Sequence, residues 1–246
     1  MSRLVAVYRS TGPDHSRRRP LFFDKLICLR SFLRAFSRVR GEREAVFVND
    51  GPMPEDRLAL MREWGRVVAL PGLGNSPSYR EALRLALAAP DDAIAYLAED
   101  DYLYDDAALQ KMAEAFDELP VVDYVTLYDH LDRYTRVDDA RGGLSRVFIA
   151  SGHHWRTVES TCMTFGARVS RLRADAWAHR LCTIRRRPHD RPLWRLLQGQ
   201  HAFFWKFPKR MVAGPVPSLA THMDALQLAP NVDWERAAAA AQRGLD

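Results

Sequence analysis

The sequence predicts an α/β fold with a central, mainly parallel sheet flanked by helices. Three observations lead there. Short apolar runs alternate with helix-spaced segments through the first hundred residues, the pattern of strands joined by crossover helices. Each apolar run ends in a polar or charged loop. The chain of 246 residues is 47% hydrophobic and 10% aromatic, enough apolar material for a sizeable core and unlike a disordered chain.

Residues 4–8 form the first apolar run and read as a buried strand. A polar, basic loop follows over 14–20. Residues 22–36 carry Phe23, Leu26, Ile27, Leu29, Leu33 and Phe36 at helical spacing. The second strand, 45–48, ends in Asn49-Asp50-Gly51, a turn signal. A helix over 55–64, a strand over 67–70 and a Gly/Asn/Ser/Pro loop over 71–77 come next. The third helix is expected over 78–88, with Ser78 and Glu81 as a capping box. The fourth strand, 93–98, runs directly into Glu99-Asp100-Asp101. In such sheets ligands bind at the carboxyl ends of the strands, so the four loops after these strands should gather on one edge.

The second half is less regular. Strands are expected over 121–128, 146–149 and 160–165, the last two flanking Gly152-His153-His154-Trp155. A short helix begins at Pro192. Turn signals stand at Gly214-Pro215 and Pro217, and a final helix starts near Asp233.

Charge is unevenly distributed. The whole chain carries 36 Lys+Arg against 31 Asp+Glu, but residues 1–144 are net −4 and residues 145–246 net +9. The second part is therefore the expected seat of an anionic ligand or surface. The basic residues are not interleaved with an aromatic platform, which argues against a nucleic-acid partner. Cys28, Cys162 and Cys182 are few and widely spaced, with no CxxC pair, which fits a reducing compartment. No stretch approaches the ~18–20 apolar residues of a membrane span. A soluble cytoplasmic protein is the expectation, with peripheral contact at the inner membrane face as a further option.

Glu99-Asp100-Asp101 carries the sharpest chemistry. Adjacent carboxylates repel unless a cation or hydrogen-bond donors stand beside them. Hard oxygen ligands suit Mg²⁺ or Mn²⁺. The plainer alternative is a solvated acidic turn.

Three segments together resemble family 2 glycosyltransferases of the GT-A (Rossmann-like) fold. They are Val46-Phe47-Val48-Asn49-Asp50-Gly51, Gly74-Asn75-Ser76-Pro77-Ser78-Tyr79-Arg80-Glu81-Ala82-Leu83, and Ala95-Tyr96-Leu97-Ala98-Glu99-Asp100-Asp101. Their order and spacing carry the resemblance, which covers residues 1–104 well and the rest loosely. Two departures stand out: Tyr8-Arg9 replaces the family's Pro and small hydroxyl residue, and Glu99 replaces its first Asp.

The resemblance implies a single GT-A domain over 1–246, with a nucleotide-sugar and metal part (1–104) and an acceptor part (105–246). It implies that Tyr8, Arg9 and Ser10 face the base and ribose, that Asp50 accepts a hydrogen bond from the base, and that Asn75 and Ser78 line the nucleotide pocket. Glu99 or Asp100 would contact the ribose. Asp101 would bind the metal, with His222 completing that site or touching the diphosphate. Asp190, after His189 and before a helix-like segment, would be the general base of an inverting transfer; its alternative role is a helix N-cap. Glu159 and Asp129 are the reserve bases.

The acceptor side is read from residue type. Trp155 could stack on a sugar ring, with His154 beside it. Arg187, in the run Arg185-Arg186-Arg187, could meet a diphosphate, an anionic acceptor or an acidic membrane surface. The implied reaction moves a sugar from a nucleotide-diphosphate donor to a hydroxyl acceptor such as a glycan, glycolipid or small molecule. The alternatives are a nucleotidyltransferase, or a non-catalytic nucleic-acid- or sugar-binding protein.

Overall fold

The computed structural model describes residues 2–14, 18–135, 145–200 and 209–244. Residues 15–17 of the expected basic loop lie outside the described residues. The first half runs β1 (Leu4–Ser10), α1 (Lys25–Ser37), β2 (Arg43–Asp50), α2 (Glu55–Trp64), β3 (Arg66–Leu70), α3 (Asn75–Ala86) and β4 (Ile94–Glu99). The second half continues with β5 (Tyr102–Tyr104), α4 (Ala108–Glu118), β6 (Tyr124–Val125), α5 (Asp132–Thr135), β7 (Val147–Ala150), β8 (His153–Thr157) and β9 (Phe165–Arg168). It ends with α6 (Val169–Ala174), α7 (Ala176–Leu181), α8 (Asp190–Leu197), β10 (Val212–Val216), β11 (Ala220–His222) and α9 (Trp234–Gln242).

Both halves contribute to one nine-stranded sheet of order β3-β2-β1-β4-β9-β6-β10-β8-β7. The β3-β2-β1-β4 block is parallel throughout. β9 is antiparallel to both β4 and β6, and β8 to both β10 and β7. Every other strand points the same way, so the sheet is mainly parallel in direction. A second ribbon pairs β11 with β5.

Alternation along the strands sorts the core onto two faces. Tyr8 and Phe47 join Leu29, Phe32 and Phe36 of α1 on one face. Val7, Val46 and Val48 join Tyr79 and Leu83 of α3 on the other. Helix α1 starts at Lys25 because Asp24 caps it: Oδ1 accepts from Leu26 N at 2.5 Å and from Ile27 N at 3.3 Å.

Several expected elements differ. Helix α3 begins at Asn75, so Ser78 is inside it and donates to Asn75 O at 3.1 Å rather than capping. Glu81 pairs with Arg84. The run 121–128 yields only Tyr124–Val125 as strand. The motif Gly152-His153-His154-Trp155 leads into strand β8 itself. The segment 160–164 is irregular, with Cys162 and Met163 at φ +53° and +67°. Gly214-Pro215 lies within β10 rather than in a turn. β6 pairs with β10 only at Val212 and Ala213, so Pro215 sits where its missing N–H breaks no bond on that side.

Candidate active site at the strand edge

The carboxyl ends of β1, β2, β3 and β4 do meet on one edge. Arg9 registers with both Val48 and Glu99, and Asp50 with Leu70. The Glu99-Asp100-Asp101 turn lies at this edge, and each of its carboxylates has a cationic partner of its own.

Glu99 pairs with Arg9, and its other oxygen accepts from Thr164 Oγ1 at 3.3 Å. The same guanidinium donates to Asn75 Oδ1 at 2.6 Å and Ser78 Oγ at 3.3 Å, so four of the expected nucleotide-site residues form one network. Asp100 Oδ2 accepts from Lys25 Nζ and from Thr11 N, both at 2.8 Å. Lys25 also donates to Thr11 O and Pro13 O at 2.9 Å, which pins the loop after β1. Arg57 adds a bond to Gly12 O at 2.8 Å.

Asp101 Oδ2 lies 3.1 Å from both His222 Nε2 and Arg19 Nη2. The ribbon makes this meeting: His222 of β11 registers with Tyr102 of β5, the residue after Asp101, and Met223 N donates to Asp101 O at 2.9 Å. Arg19 is held over the Phe23 ring at 4.3 Å and donates to Met223 O at 2.7 Å. Burial opposes the charge on Asp101, but His222 and Arg19 outweigh it and hold its carboxyl well below the usual range. Burial likewise opposes charge on His222, and the bond to Asp101 reverses the balance and raises its pKa. Burial pushes Glu99 and Asp100 upward despite Arg9 and Lys25.

This pairing bears on the metal. Mutual repulsion of the three acids no longer requires one, because Arg9, Lys25 and Arg19 already meet them. Among the described residues, no three His, Cys, Asp or Glu side chains group as a metal site. Asp101 and His222 do converge, one carboxylate with one imidazole, donor types that would suit a divalent ion if substrate oxygens and water supplied the rest. Glu99 and Asp100 are committed to their cations.

Other expected site residues take different places. Tyr8 is fully buried, its ring 4.8 Å from Phe32 and 5.9 Å from Phe47. It belongs to the core and cannot face a base, because β-alternation turns it toward α1 while Arg9 turns toward α3. Ser10 is buried and donates to Asn49 Oδ1 at 2.5 Å. Asp50 spends both oxygens on Leu73 N and Gly74 N, at 2.6 Å each. It fixes the β3–α3 loop, whose Gly74 has φ +90°, a conformation that suits glycine. Trp155 has no exposed surface and donates from its indole N–H to Ala150 O at 3.3 Å, so it offers no face to a sugar. His154 and Arg187 are exposed.

Asp190 is the first residue of α8, and His189 holds the N-cap position. Asp190 is half-buried. Burial first, then the Asp190 charge, pushes the Cys162 thiol up to about 12. Of the reserve bases, Asp129 is buried and bound by Arg133, Arg156 and Tyr134, while Glu159 is exposed.

Sequence reasoning missed Arg19, Lys25 and the strained 160–164 segment. The Arg17-Arg18-Arg19 run and a lysine opening an apolar helix were the available signals. Nothing in the sequence marked the left-handed pair Cys162–Met163, where non-glycine residues are uncommon.

No family model and no curated protein matches the chain. Solved structures do. CMP:2-keto-3-deoxy-manno-octonic acid synthetase complexed with CTP is similar at a TM-score of 0.50 and 14% identity, covering 98% of this chain and 100% of that one. A Methanothermobacter nucleotidyl transferase is similar at 0.51 and 17%, covering 98% of each. At these identities the likeness is one of fold. It establishes the α/β, Rossmann-type architecture. No helix of the described residues is long and apolar enough to cross a membrane.

Proposed function

We propose that the chain is a nucleotide-dependent transferase whose nucleotide diphosphate lies at the Glu99–Asp101 edge. The observation that carries this reading is the convergence of His222 and Arg19 on Asp101 Oδ2, 3.1 Å each. It brings a guanidinium and an imidazole, balanced by Asp14 and Asp101, to the carboxyl edge of a parallel sheet, where ligands of such folds bind and where a leaving diphosphate needs charge stabilisation.

Inverting sugar transfer is the reading that the resemblance of residues 1–104 supplies. Asp190 takes the proton of the acceptor hydroxyl as that oxygen bonds to the anomeric carbon. The bond from that carbon to the diphosphate oxygen breaks, and the nucleotide diphosphate leaves with its electron pair. Arg19, already held by Asp14, Asp101 and Met223 O, is the guanidinium placed beside the departing charge. Asp101 and His222 would hold a divalent ion, which supplies Lewis-acid stabilisation of the same oxygens when bound. Arg9, Asn75 and Ser78 orient the nucleoside end. Lys25 and Arg57 fix the 11–13 loop beside it.

Nucleotidyl transfer is the second reading, and the comparisons favour it over sugar transfer. The two structures matched over nearly their whole length are a nucleotidyl transferase and a CMP-linked synthetase seen with CTP. Against it, Lys25, the described lysine at the β1 loop, is spent on Thr11 O, Pro13 O and Asp100.

Product analysis separates the two. The chain is incubated with a panel of nucleotide sugars, each with a panel of hydroxyl acceptors (glycans, glycolipids and simple sugars), and separately with CTP plus sugar acids, with Mg²⁺ or Mn²⁺. Sugar transfer releases nucleoside diphosphate from one donor, and Asp190→Asn stops it while donor still binds. Pyrophosphate release from CTP would replace that reading with nucleotidyl transfer. No release from any donor overturns both.

A further inference from the structure

Helix α3 presents two opposed sides near its start. Asn75 and Ser78 meet Arg9 at the strand edge. At about 100° per residue, Ser76, Pro77 and Arg80 lie on the other side. There they wall a cavity of about 420 Å³ together with Gly74, Arg185 and Arg186. One backbone bond and one side-chain bond close its walls: Ser76 N donates to Arg186 O at 3.3 Å, and Arg80 Nη1 donates to Thr183 O at 2.9 Å.

The lining holds three arginines and no acidic residue. It also takes the first turn of a 12-residue helix, whose dipole favours anions, with Ser76 N given to Arg186 O and Pro77 lacking an N–H. Arginines on an exposed loop are ordinarily just solvated. The hydroxyl that shares the lining with them is different. Ser76 is 1% exposed, and its Oγ has no hydrogen-bond partner. A buried polar group left unpaired costs stability, and such groups are few in folded proteins. Leu73 and Ile184, also in the lining, are 52% and 75% exposed, so apolar surface adjoins the basic cavity.

The geometry points to this cavity as a second binding site, one for a phosphate group carried by an amphiphilic molecule. Phosphate oxygens accept from the guanidinium groups of Arg185 and Arg186, whose planar forks suit them, and from Ser76 Oγ. The apolar part of the ligand lies on Leu73 and Ile184. The site is separate from the Asp101 edge and does not depend on which group that edge transfers.

The test uses the full chain and two probes. Vesicles of phosphatidylcholine doped with phosphatidic acid, against phosphatidylcholine alone, are read by co-sedimentation. Inorganic phosphate is read by calorimetry and as a competitor. Binding to the doped vesicles is expected, with loss of about tenfold or more in Arg185→Ser/Arg186→Ser and in Ser76→Ala. Ser76→Ala should keep or raise Tm, because it removes an unpaired hydroxyl, so its loss of binding cannot be a folding defect. Leu73→Ser/Ile184→Ser should weaken vesicle binding and leave inorganic phosphate binding unchanged. Competition by inorganic phosphate supports a lipid headgroup as the source. Phosphate binding with the same Ser76 and arginine sensitivity, but no vesicle binding, supports a soluble phosphorylated amphiphile. Binding unaffected by both the Ser76 and the arginine changes, or no binding of either probe, overturns the proposal.

Discussion

His222 Nε2 and Asp101 Oδ2 lie 3.1 Å apart although 121 residues separate them in the chain. The contact is built by backbone. Strand β5 follows the acidic turn without a break, and β11 zips onto it antiparallel, with His222 opposite Tyr102. The imidazole then packs 5.3 Å from the Tyr102 ring. Replacing His222 with Ala leaves Arg19 as the remaining cationic partner of Asp101. Affinity for nucleoside diphosphate should fall about tenfold, ~1.4 kcal/mol, measured by calorimetry. Unchanged affinity would remove His222 from the site.

Lys25 is the structural anchor of the same edge. Its amine is buried and bonded to Asp100, Thr11 O and Pro13 O. Lys25→Met leaves the Asp100 carboxylate buried without its charge partner, and removing one half of such a pair costs about 3–5 kcal/mol. Urea unfolding measures this. Adding Asp100→Asn should restore part of the loss, because the two effects are coupled.

The pH dependence of stability should include a contribution from His179. Burial pushes its imidazole down to about 4 from the ordinary 6.5, with Tyr79 Oη 2.8 Å from Nδ1. The unfolded chain therefore takes up a proton as pH falls through 6.5, while the native state resists until about 4. Stability from this group is complete above the unfolded value and falls between those limits by roughly 3 kcal/mol. Denaturant titrations across the window should show that slope, and His179→Gln should flatten it whatever its own baseline. An equal slope in the variant contradicts the assignment.

Tyr8 tests the division between core and ligand edge. Its hydroxyl is buried and without a hydrogen-bond partner. Tyr8→Phe removes that unpaired group and keeps the ring against Phe32 and Phe47, so Tm should hold or rise. Nucleotide affinity should stay within about twofold, well under 1 kcal/mol. A tenfold loss would return Tyr8 to the nucleotide pocket.

These residues also show what was legible from sequence. Strands β1, β2 and β4 stood out because a strand covered on both faces reads as an unbroken apolar run. Their ends then fixed the edge on which Glu99, Asp100 and Asp101 lie. The pairing of Asp101 with His222 was reachable only through the family resemblance, since the ribbon that joins them has three residues per strand. Side-chain direction was less legible. Tyr8 and Arg9 are neighbours in sequence and point to opposite faces, so one loop assignment could not serve both. The second half hid its strands for local reasons. Trp155 sits in a strand written His-His-Trp-Arg-Thr, and Pro215 stands in the part of β10 that pairs with β8 alone. Cys162 and Met163 break the strand expected over 160–165 by adopting positive φ, which no propensity for those residues foretells.

The central claim is that a nucleotide diphosphate binds at the Asp101 edge. Titrating nucleoside diphosphates and CTP into the wild-type chain and Asp101→Asn, with and without Mg²⁺ or Mn²⁺, tests it most directly. The account predicts micromolar-range binding of at least one nucleotide, weakened about tenfold or more in Asp101→Asn, with the fold intact by circular dichroism. Equal binding by the two proteins, or no binding by the wild type, would contradict it.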